Sequence, residues 1–307
     1  MRTEGMSVRR IAKRLRRSPN SISYEPGENK VGDEYSAKKA EFKAYQRRKN
    51  AKYQGMKIVR DSSLKAYADA HLLDDLSPEA IAGRITKHEK VLSGISKDSI
   101  RRYIDSAYGT KVAWHRIQKR RKRKWRKKRP RVTQLTDRRF IEKRPKHIQK
   151  RRFVGHAEAD FIVSGKSGKG ILLTLTDRKM RVSFIEQILN VSIENVHTAF
   201  LRIQERFPEL STITTDNDLL FGHHKELEKL LNIRLYFCHP YHSWEKGSIE
   251  NVNKYIRRDI PKGSDISKYS QRFIKKLEHK LNRRPMKIIG YFTPQELLDR
   301  HRKQKKR

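Results

Sequence analysis

The sequence has few of the features of a secreted or membrane protein. Its one cysteine, Cys238, cannot form an internal disulfide, which fits a reducing cytoplasm. No apolar run approaches the roughly 20 residues that a membrane-spanning helix needs. The first residues also lack the apolar stretch of a signal peptide. We therefore expect a cytoplasmic protein with no membrane partner.

Acidic residues are scarce beside basic ones, 34 against 74, so the formal net charge is +40. A surface this positive repels itself unless it meets a polyanion such as DNA or RNA, whose condensed counterions are released on binding. The excess lies at the two ends: residues 1–150 hold 43 basic and 16 acidic side chains, and 251–307 hold 18 and 5. Residues 151–250 hold 13 of each. This distribution predicts a nucleic-acid protein whose centre does something other than hold phosphates.

The N-terminal residues 7–25 predict two short basic helices. Ser7 can cap the first, and Ser18 followed by Pro19 is a strong start for the second, which should end before Pro26. Such a pair is typical of a helix-turn-helix that places its second helix in the major groove. An ordinary helical hairpin with a solvated basic face is the alternative. The predicted DNA contacts of this region are Arg16, Arg17, Ser18, Asn20 and Ser21.

A polar helix is expected over 36–53, and residues 77–105 repeat the earlier pattern. Ser77 and Pro78 open one helix, and Ser96 can cap another. We interpret the pair as a second helix-turn-helix-like unit, with plain packing as the alternative. Arg101 and Arg102 are its predicted DNA contacts.

The segment KRRKRKWRKKR, residues 119–129, has ten basic residues in eleven. Like-charge repulsion disfavours a free helix there. It can serve as a solvated linker, as an arm along phosphates with Trp125 packed on a sugar or base, or as both. Its predicted DNA contacts are Lys119, Arg120, Arg121, Lys122, Arg123, Lys124 and Trp125. The predicted domains are 1–60 and 61–110 (helical), 111–150 (basic linker), 151–300 (catalytic) and 301–307 (basic tail).

After about residue 150 the pattern becomes α/β. HAEADFIV, GILLTLTD and VSFIEQIL predict three strands, and a capped amphipathic helix follows over 192–207. TITTD, HKELEKLLN, RLYFCHPY and the helix 248–258 complete the order strand, helix, strand, helix. We therefore predict a multidomain protein, with N-terminal all-α helix-turn-helix units and a C-terminal α/β ribonuclease-H-like domain.

Three carboxylates stand out by position. Asp160 lies inside a strand, where Asp is otherwise unfavourable, Asp216 follows the fourth strand, and Glu250 begins a helix. Carboxylates converging from different elements can hold two Mg²⁺ ions for phosphodiester chemistry. Individually, Asp216 could be a turn or cap residue and Glu250 an exposed helix residue. Glu158 shares the strand face of Asp160 and could support it, although a surface salt bridge is the favoured interpretation.

Three stretches, TITTDNDLLFGHH, YFCHPYHSWEKGSIENVNKYIRRDIPKG and LNRRPMKIIGYFTPQELL, resemble the transposases of the IS-thirty family of bacterial insertion sequences. These are DDE transposases, related to retroviral integrases. Asp216 and Glu250 have the family's spacing of 33 intervening residues, and GHAEADFI resembles the segment of its first aspartate, Asp160. IAKRLRRSPNSIS resembles its helix-turn-helix. The chain departs from the family at Asp218, where glycine is usual, and at Ala157, where tryptophan is usual.

The resemblance implies a DNA transposase with Asp160, Asp216 and Glu250 as catalytic residues and metal ligands. It implies two Mg²⁺ ions, with Mn²⁺ as a substitute, and cleavage of element ends followed by strand transfer. The implied partners are double-stranded DNA, as terminal inverted repeats and target DNA, and further copies of the chain in at least a dimer. The implied location is the bacterial nucleoid. The alternatives are a decayed DNA-binding regulator and a structure-selective nuclease.

Basic and aromatic residues around the Glu250 helix are further candidates. Lys254 and Arg257 fall on the face of Glu250 and could grip a phosphate, or be surface cations. Trp244 could stack on a flipped base or pack the loop, whereas packing is favoured for Tyr241. A metal site of Cys238, His239 and His242, with His223 and His224 upstream, matches no closed zinc pattern, so no structural zinc is predicted.

Overall fold

The computed structural model describes residues 5–30, 35–51, 56–119, 137–165, 167–239 and 242–305. The chain forms two compact units. The first comprises Met1–Pro78 and Leu92–Gln118, and the second comprises Glu79–Val91 and Lys119–Arg307. No helix of the described residues is long and apolar enough to cross a membrane. The predicted contacts from Arg120 to Trp125 lie outside the described residues, as does Tyr241.

The N-terminal part of the chain is helical. Its helices are α1 (Val8–Leu15), α2 (Pro19–Asn29), α3 (Ala37–Ala51), α4 (Met56–Arg60), α5 (Ser62–Leu73), α6 (Pro78–Lys87), α7 (Lys97–Asp105) and α8 (Thr110–Lys119). Both predicted N-terminal caps are present: the Ser7 hydroxyl accepts the Arg10 N–H at 3.4 Å and the Ser18 hydroxyl accepts the Ser21 N–H at 3.1 Å. The two predicted helix starts are therefore confirmed.

The predicted end of α2 is wrong, because the helix continues through Pro26 to Asn29. Proline removes one backbone donor, but its carbonyl still accepts, and the Pro26 carbonyl receives the Lys30 N–H at 3.2 Å. Helix α3 supports this last turn. Its Lys43 donates to the Lys30 carbonyl at 3.0 Å, and its Arg47 donates to the buried Asn29 side chain. Tertiary hydrogen bonds thus outweigh the local helix-breaking signal.

The two helices predicted as a second helix-turn-helix-like unit fall into different compact units. Helix α7, capped as expected by Ser96, belongs to the first. Residues 79–91, which hold most of α6, belong to the second, where Arg84 forms a bidentate pair with Glu296 at 2.7 and 2.8 Å. The predicted domain boundaries therefore differ from this division, which crosses the predicted 61–110 unit.

The second unit contains a five-stranded sheet. Its strands are β1 (His156–Val163), β2 (Ile171–Asp177), β3 (Ser183–Ile188), β4 (Thr212–Thr215) and β5 (Arg234–Phe237), and its further helices are α9 (Lys146–Gln149), α10 (Ile193–Arg206), α11 (His224–Leu231), α12 (Gly247–Asp259), α13 (Gln271–Asn282) and α14 (Pro294–Lys305). The strand order is β3-β2-β1-β4-β5. The first three strands are antiparallel, and β4 and β5 run parallel to β1. This is the predicted ribonuclease-H-like arrangement, so the fold class is confirmed.

Strand β1 lies at the middle of the sheet and divides two apolar cores. Ala157, Ala159 and Phe161 face a core shared with α10 and α11. The alternate residues face the other side, where Ile162 packs in a core with α12 and α13. Burying each large aliphatic side chain contributes about 1.5–3 kcal/mol. The polar residues of β1 therefore point toward the layer that holds α12.

Candidate active site

Asp160 and Asp216 follow equivalent positions of neighbouring parallel strands. Glu158 of β1 pairs with Thr214 of β4, and each aspartate lies two residues further along its own chain. Because β1 and β4 run in the same direction, these equivalent positions lie side by side, with Asp160 inside β1 and Asp216 directly after β4. The two predicted aspartates are therefore brought together.

Lys246 joins the two aspartates. Its Nζ lies 3.3 Å from Asp160 Oδ1 and 2.9 Å from Asp216 Oδ2, and the residue is only 7% exposed. Burial alone would lower the pKa of this ammonium, but the attraction of both carboxylates outweighs burial and raises its pKa. Lys246 thus stays charged and offsets the repulsion between the aspartates. Sequence reasoning missed this residue, which precedes α12 by one position.

Asn253 orients the other oxygen of Asp160. Its Nδ2 donates to Asp160 Oδ2 at 2.7 Å, and its Oδ1 accepts the Thr174 hydroxyl at 3.1 Å. Thr174 also donates to the Asp160 carbonyl at 2.9 Å and lies opposite Asp160 on β2. The orientation of Asp160 is therefore fixed by Asn253 of α12 and by Thr174 of β2. Asn253 is a second site residue that sequence reasoning missed.

Glu250 lies one turn before Asn253 on α12, so the two share a helix face. Its carboxylate is 48% exposed and pairs with Lys254 of the same helix at 3.7 Å. Because Asn253 contacts Asp160 directly, that face of α12 is the one directed at the aspartates. The structure thus places Glu250 beside the site but pairs it with Lys254 rather than with Lys246.

Glu158 is buried, so its favoured interpretation as a surface salt bridge is wrong. It is 1% exposed and its Oε1 accepts Arg178 Nε at 3.0 Å. Its Oε2 accepts the backbone N–H groups of Ser248 and Ile249 at 2.8 and 3.0 Å. These are free donors at the start of α12, where the helix dipole also favours a negative charge. Glu158 therefore anchors the helix that carries Glu250.

Comparisons with known proteins give the family. A family model described as a helix-turn-helix domain matches residues 1–25. The transposase for insertion sequence element IS4351 of Bacteroides fragilis is 35% identical over 273 residues, which cover 85% of this chain and 80% of that protein. The transposase InsI for insertion sequence element IS30A of Escherichia coli (strain K12) is 29% identical over 312 residues, 96% of this chain and 79% of that protein. The chain belongs to the IS-thirty (IS30) family of insertion sequence transposases, enzymes of DNA transposition.

A solved structure is also similar to part of this transposase. The catalytic core domain of BIV integrase is matched over 50% of this chain and 99% of that chain, with 17% identity and a TM-score of 0.39.

The aspartates of the transposase fit a divalent metal ion such as Mg²⁺. Magnesium prefers hard oxygen ligands, and two carboxylates meet at one sheet edge. Asp216 Oδ1 is buried and accepts no hydrogen bond from the described residues. An unpartnered buried acceptor costs free energy that a bound cation would recover. Lys246 shows that this position stabilises a positive charge.

The cations predicted to contact DNA on α12 differ in their surroundings. Lys254 is exposed. The Arg257 guanidinium donates to the Pro261 and Val163 carbonyls at 3.3 and 3.4 Å, and burial lowers its pKa while the charge of Asp160 opposes this. Arg257 is thus tied to the end of β1 on the Asp160 side. Trp244 is exposed and stacks on His242, with ring centroids 4.4 Å apart.

The predicted contacts in the helical part of the chain are exposed. Arg16 ends α1 in the left-handed conformation, with φ 51°. The exposed residues are Arg16, Arg17, Ser18, Asn20, Ser21, Arg101 and Arg102. Lys119 is the last residue of α8. Exposure leaves the basic side chains able to reach phosphates, and their contacts with DNA stay a prediction.

Asp218, which departs from the family pattern, and Cys238 and His223, which were considered as metal ligands, have structural roles. Asp218 caps a 3₁₀ turn by accepting the Leu220 N–H at 3.0 Å, and burial raises its pKa. Cys238 is buried, and burial raises the pKa of its thiol to about 12. His223 pairs with Glu226 at 3.0 Å. Cys238 therefore suits packing better than metal binding, since the thiolate is the metal ligand.

Proposed function

We propose that this transposase cleaves DNA at the ends of its element and joins those ends to target DNA, using Mg²⁺ held by Asp160, Asp216 and Glu250. One observation carries the proposal: Asp160 and Asp216 emerge side by side from parallel strands, with the buried ammonium of Lys246 between them. A pair of carboxylates that retains an internal cation and an unsatisfied oxygen has the donor set of a hard-cation site.

The reaction consists of two phosphoryl transfers. Water first attacks a phosphodiester at the element end, and the released strand carries a 3′-hydroxyl. That hydroxyl then attacks a phosphodiester of the target, so one ester bond forms as another breaks. Two bound Mg²⁺ ions, or Mn²⁺ in their place, supply activation of the attacking oxygen and stabilisation of the leaving oxygen.

The residues of the chain orient this chemistry. Asn253 holds one oxygen of Asp160, and Glu158 holds the N-terminus of α12 and thereby Glu250. With Mg²⁺ bound, the carboxylates would no longer require the ammonium of Lys246, which would then be able to pair with a DNA phosphate. No side chain has to form a covalent bond with DNA.

The helical units provide DNA recognition in this proposal. The match of residues 1–25 to a helix-turn-helix domain and the exposed basic residues around α2 support binding of terminal inverted repeats. Assembly of at least two copies would bring two ends together. The overall charge of +40 adds sequence-independent attraction to target DNA, which weakens as salt rises.

The test is a strand-transfer assay with purified protein and DNA that carries the element's own ends, with and without Mg²⁺. Asp216→Asn should abolish cleavage and joining while DNA binding stays nearly intact. Asp218→Asn is the matched control, since it removes a neighbouring charge from a turn cap, and it should retain activity.

Other outcomes would replace the proposal. Cleavage without joining would indicate a structure-selective nuclease. Specific binding of the ends with neither cleavage nor joining would indicate a regulator that has lost catalysis. Equal loss of DNA binding and cleavage in Asp216→Asn would show that Asp216 is structural.

A further inference from the structure

Outside the aspartate pair, three side chains converge between β5 and α12. Ligand atoms of His239, His242 and Glu245 all lie within 4.8 Å of one another. His239 Nδ1 is 3.0 Å and His242 Nδ1 is 3.3 Å from the same atom, Glu245 Oε1. Ligand atoms bound to one tetrahedral Zn²⁺, at 2.0–2.1 Å, lie about 3.4 Å apart. Both separations from Glu245 Oε1 are close to this value, so a small movement of the side chains would let all three bind one ion.

The other side of the His239 ring strengthens this comparison. Its Nε2 contacts the carboxylate of Glu142. His239 thus lies between two carboxylates, with Nε2 toward Glu142 and Nδ1 toward Glu245. A proton on Nδ1, or a metal cation in its place, is required between Nδ1 and the Glu245 carboxylate at 3.0 Å. A carboxylate behind a histidine is also the usual support of a metal-binding imidazole.

We propose that His239, His242 and Glu245 bind one Zn²⁺ ion, with a fourth position left to water, and that this ion fixes the loop that leads into α12. Imidazole nitrogens select Zn²⁺ over Mg²⁺, which prefers oxygen ligands only, so this site and the aspartates take different metals. No closed zinc pattern is visible in the sequence because the third ligand is a carboxylate, and Cys238 is not part of the set.

The position of the site explains what such an ion would do. Glu245 directly precedes Lys246, whose ammonium lies between Asp160 and Asp216. Glu245 Oε2 also accepts the His239 N–H at 2.9 Å, so the loop folds back on itself around this carboxylate. A bound Zn²⁺ would restrain the backbone at Lys246 and the start of α12 without touching Asp160 or Asp216, and the Lys246 side chain would stay free to move. The proposal therefore does not depend on the strand-transfer reaction.

The test uses the full chain, stripped with a chelator and kept in excess Mg²⁺ so that the aspartates are occupied. Zn²⁺ binding is measured by calorimetry, and Co²⁺ serves as a coloured substitute whose visible absorption reports four-coordinate geometry. His242→Gln is the principal variant, and Glu245→Gln is the second in case the first does not fold. His223→Gln is the matched control, since His223 forms a similar His–Glu pair with Glu226 and is not among the three clustered residues.

The wild type and His223→Gln should each bind one Zn²⁺ and give the Co²⁺ absorption. His242→Gln and Glu245→Gln should lose the absorption and bind Zn²⁺ at least tenfold more weakly. Trp244 stacks on His242, so Co²⁺ should quench its fluorescence in the wild type. Equal Zn²⁺ affinity in all four proteins, or no binding by the wild type, would overturn the proposal and leave two histidines hydrogen-bonded to Glu245.

Discussion

Glu158 and Asp160 lie two residues apart on the same face of β1, yet their surroundings are opposite. Glu158 is buried and both of its oxygens are satisfied, by Arg178 and by the backbone at the start of α12. Asp160 is partly open, faces a second carboxylate and shares the ammonium of Lys246 with it, while Asn253 holds its other oxygen. The inner carboxylate has a cation of its own, whereas the outer one shares its cation with a second carboxylate, and this shared cation is the one that gives way to Mg²⁺ in the proposed function.

This difference separates stability from function along a single strand. Replacing a buried charge whose hydrogen bonds are all made is costly in folding free energy, because its partners are left buried and unpaired. A charge with a displaceable partner can exchange it for a ligand. We therefore expect the inner position to govern the free energy of unfolding and the outer position to govern metal binding and DNA cleavage.

The largest effect is expected at the inner position. Glu158→Gln should lower the free energy of unfolding by about 3–5 kcal/mol, because it leaves Arg178 buried without a counter-ion. Asp160→Asn should change it by less than about 1 kcal/mol, since it relieves repulsion with Asp216. Urea unfolding monitored by circular dichroism measures both. Similar losses in the two variants would break the comparison.

The next largest effect is on the pH dependence of stability and is expected at His156. This residue lies two positions before Glu158 on the same face of β1. Burial lowers the pKa of His156 from 6.5 to about 4, and the charges of His147, Arg178 and Arg144 act in the same direction. The unfolded chain therefore binds this proton more readily than the folded chain, so stability falls as pH drops from 6.5 to about 4. The loss in the free energy of unfolding over this pH range is about 3 kcal/mol.

Thermal unfolding between pH 7.5 and pH 4 tests this, with His156→Gln as the variant. The variant should show a flatter pH dependence across that window, since glutamine can still bond the Thr212 hydroxyl that His156 Nδ1 contacts at 2.9 Å. His301→Gln, a change at a partly exposed histidine of α14, is the control and should keep the wild-type slope. An unchanged slope in His156→Gln would assign the acid sensitivity to other groups.

A smaller effect is expected at the outer position when its cation is removed. Lys246→Met should lower the stability of the metal-free protein by about 1–3 kcal/mol, because Asp160 and Asp216 are then left to repel each other while partly exposed. Added Mg²⁺ should restore stability and bind more tightly than to the wild type, since it no longer competes with the ammonium. Melting curves at graded Mg²⁺ concentrations measure both. Identical Mg²⁺ dependence in the two proteins would show that Lys246 and the metal occupy different places.

The smallest effect on stability is expected at Asn253. Asn253→Ala removes the hydrogen bonds to Asp160 and Thr174 and should cost about 1 kcal/mol. It should nevertheless raise the Mg²⁺ concentration needed for half-maximal cleavage, because Asp160 loses its orientation. Asn251→Ala, at an exposed position of the same helix, is the control. Unchanged Mg²⁺ dependence in Asn253→Ala would reduce Asn253 to a packing residue.

Local signals in the sequence were sufficient for the order of strands and helices and for the caps at Ser7, Ser18 and Ser96. They also placed Asp160 inside the first strand and Asp216 directly after the fourth, and these positions lie side by side once the two strands pair in parallel. Lys246 could not be predicted, because its role depends on a loop folding back to two strands far away in sequence. The prediction that α2 ends before Pro26 was wrong for the same reason, since hydrogen bonds from α3 stabilise the last turn of α2.

The division of 77–105 between two compact units shows a further limit of local patterns. A serine cap and an amphipathic face identify a helix but do not specify its partner. Arg84 of α6 finds Glu296 more than 200 residues away, and nothing near either residue in the sequence marks this pairing. The role of Glu158 could not be predicted for the same reason. Strand periodicity indicated which face of β1 it lies on, but not that the backbone N–H groups at the start of α12 would bind its carboxylate.

The ammonium between the two aspartates also bears on how the chain matures in the cell. Many small metal-binding domains stay unfolded until their ion arrives, because the ligands repel one another without it. Here a lysine of the same chain offsets that repulsion in the folded protein. We therefore expect the second unit to fold before any ion binds, so that folding and the proposed metal binding are separate steps.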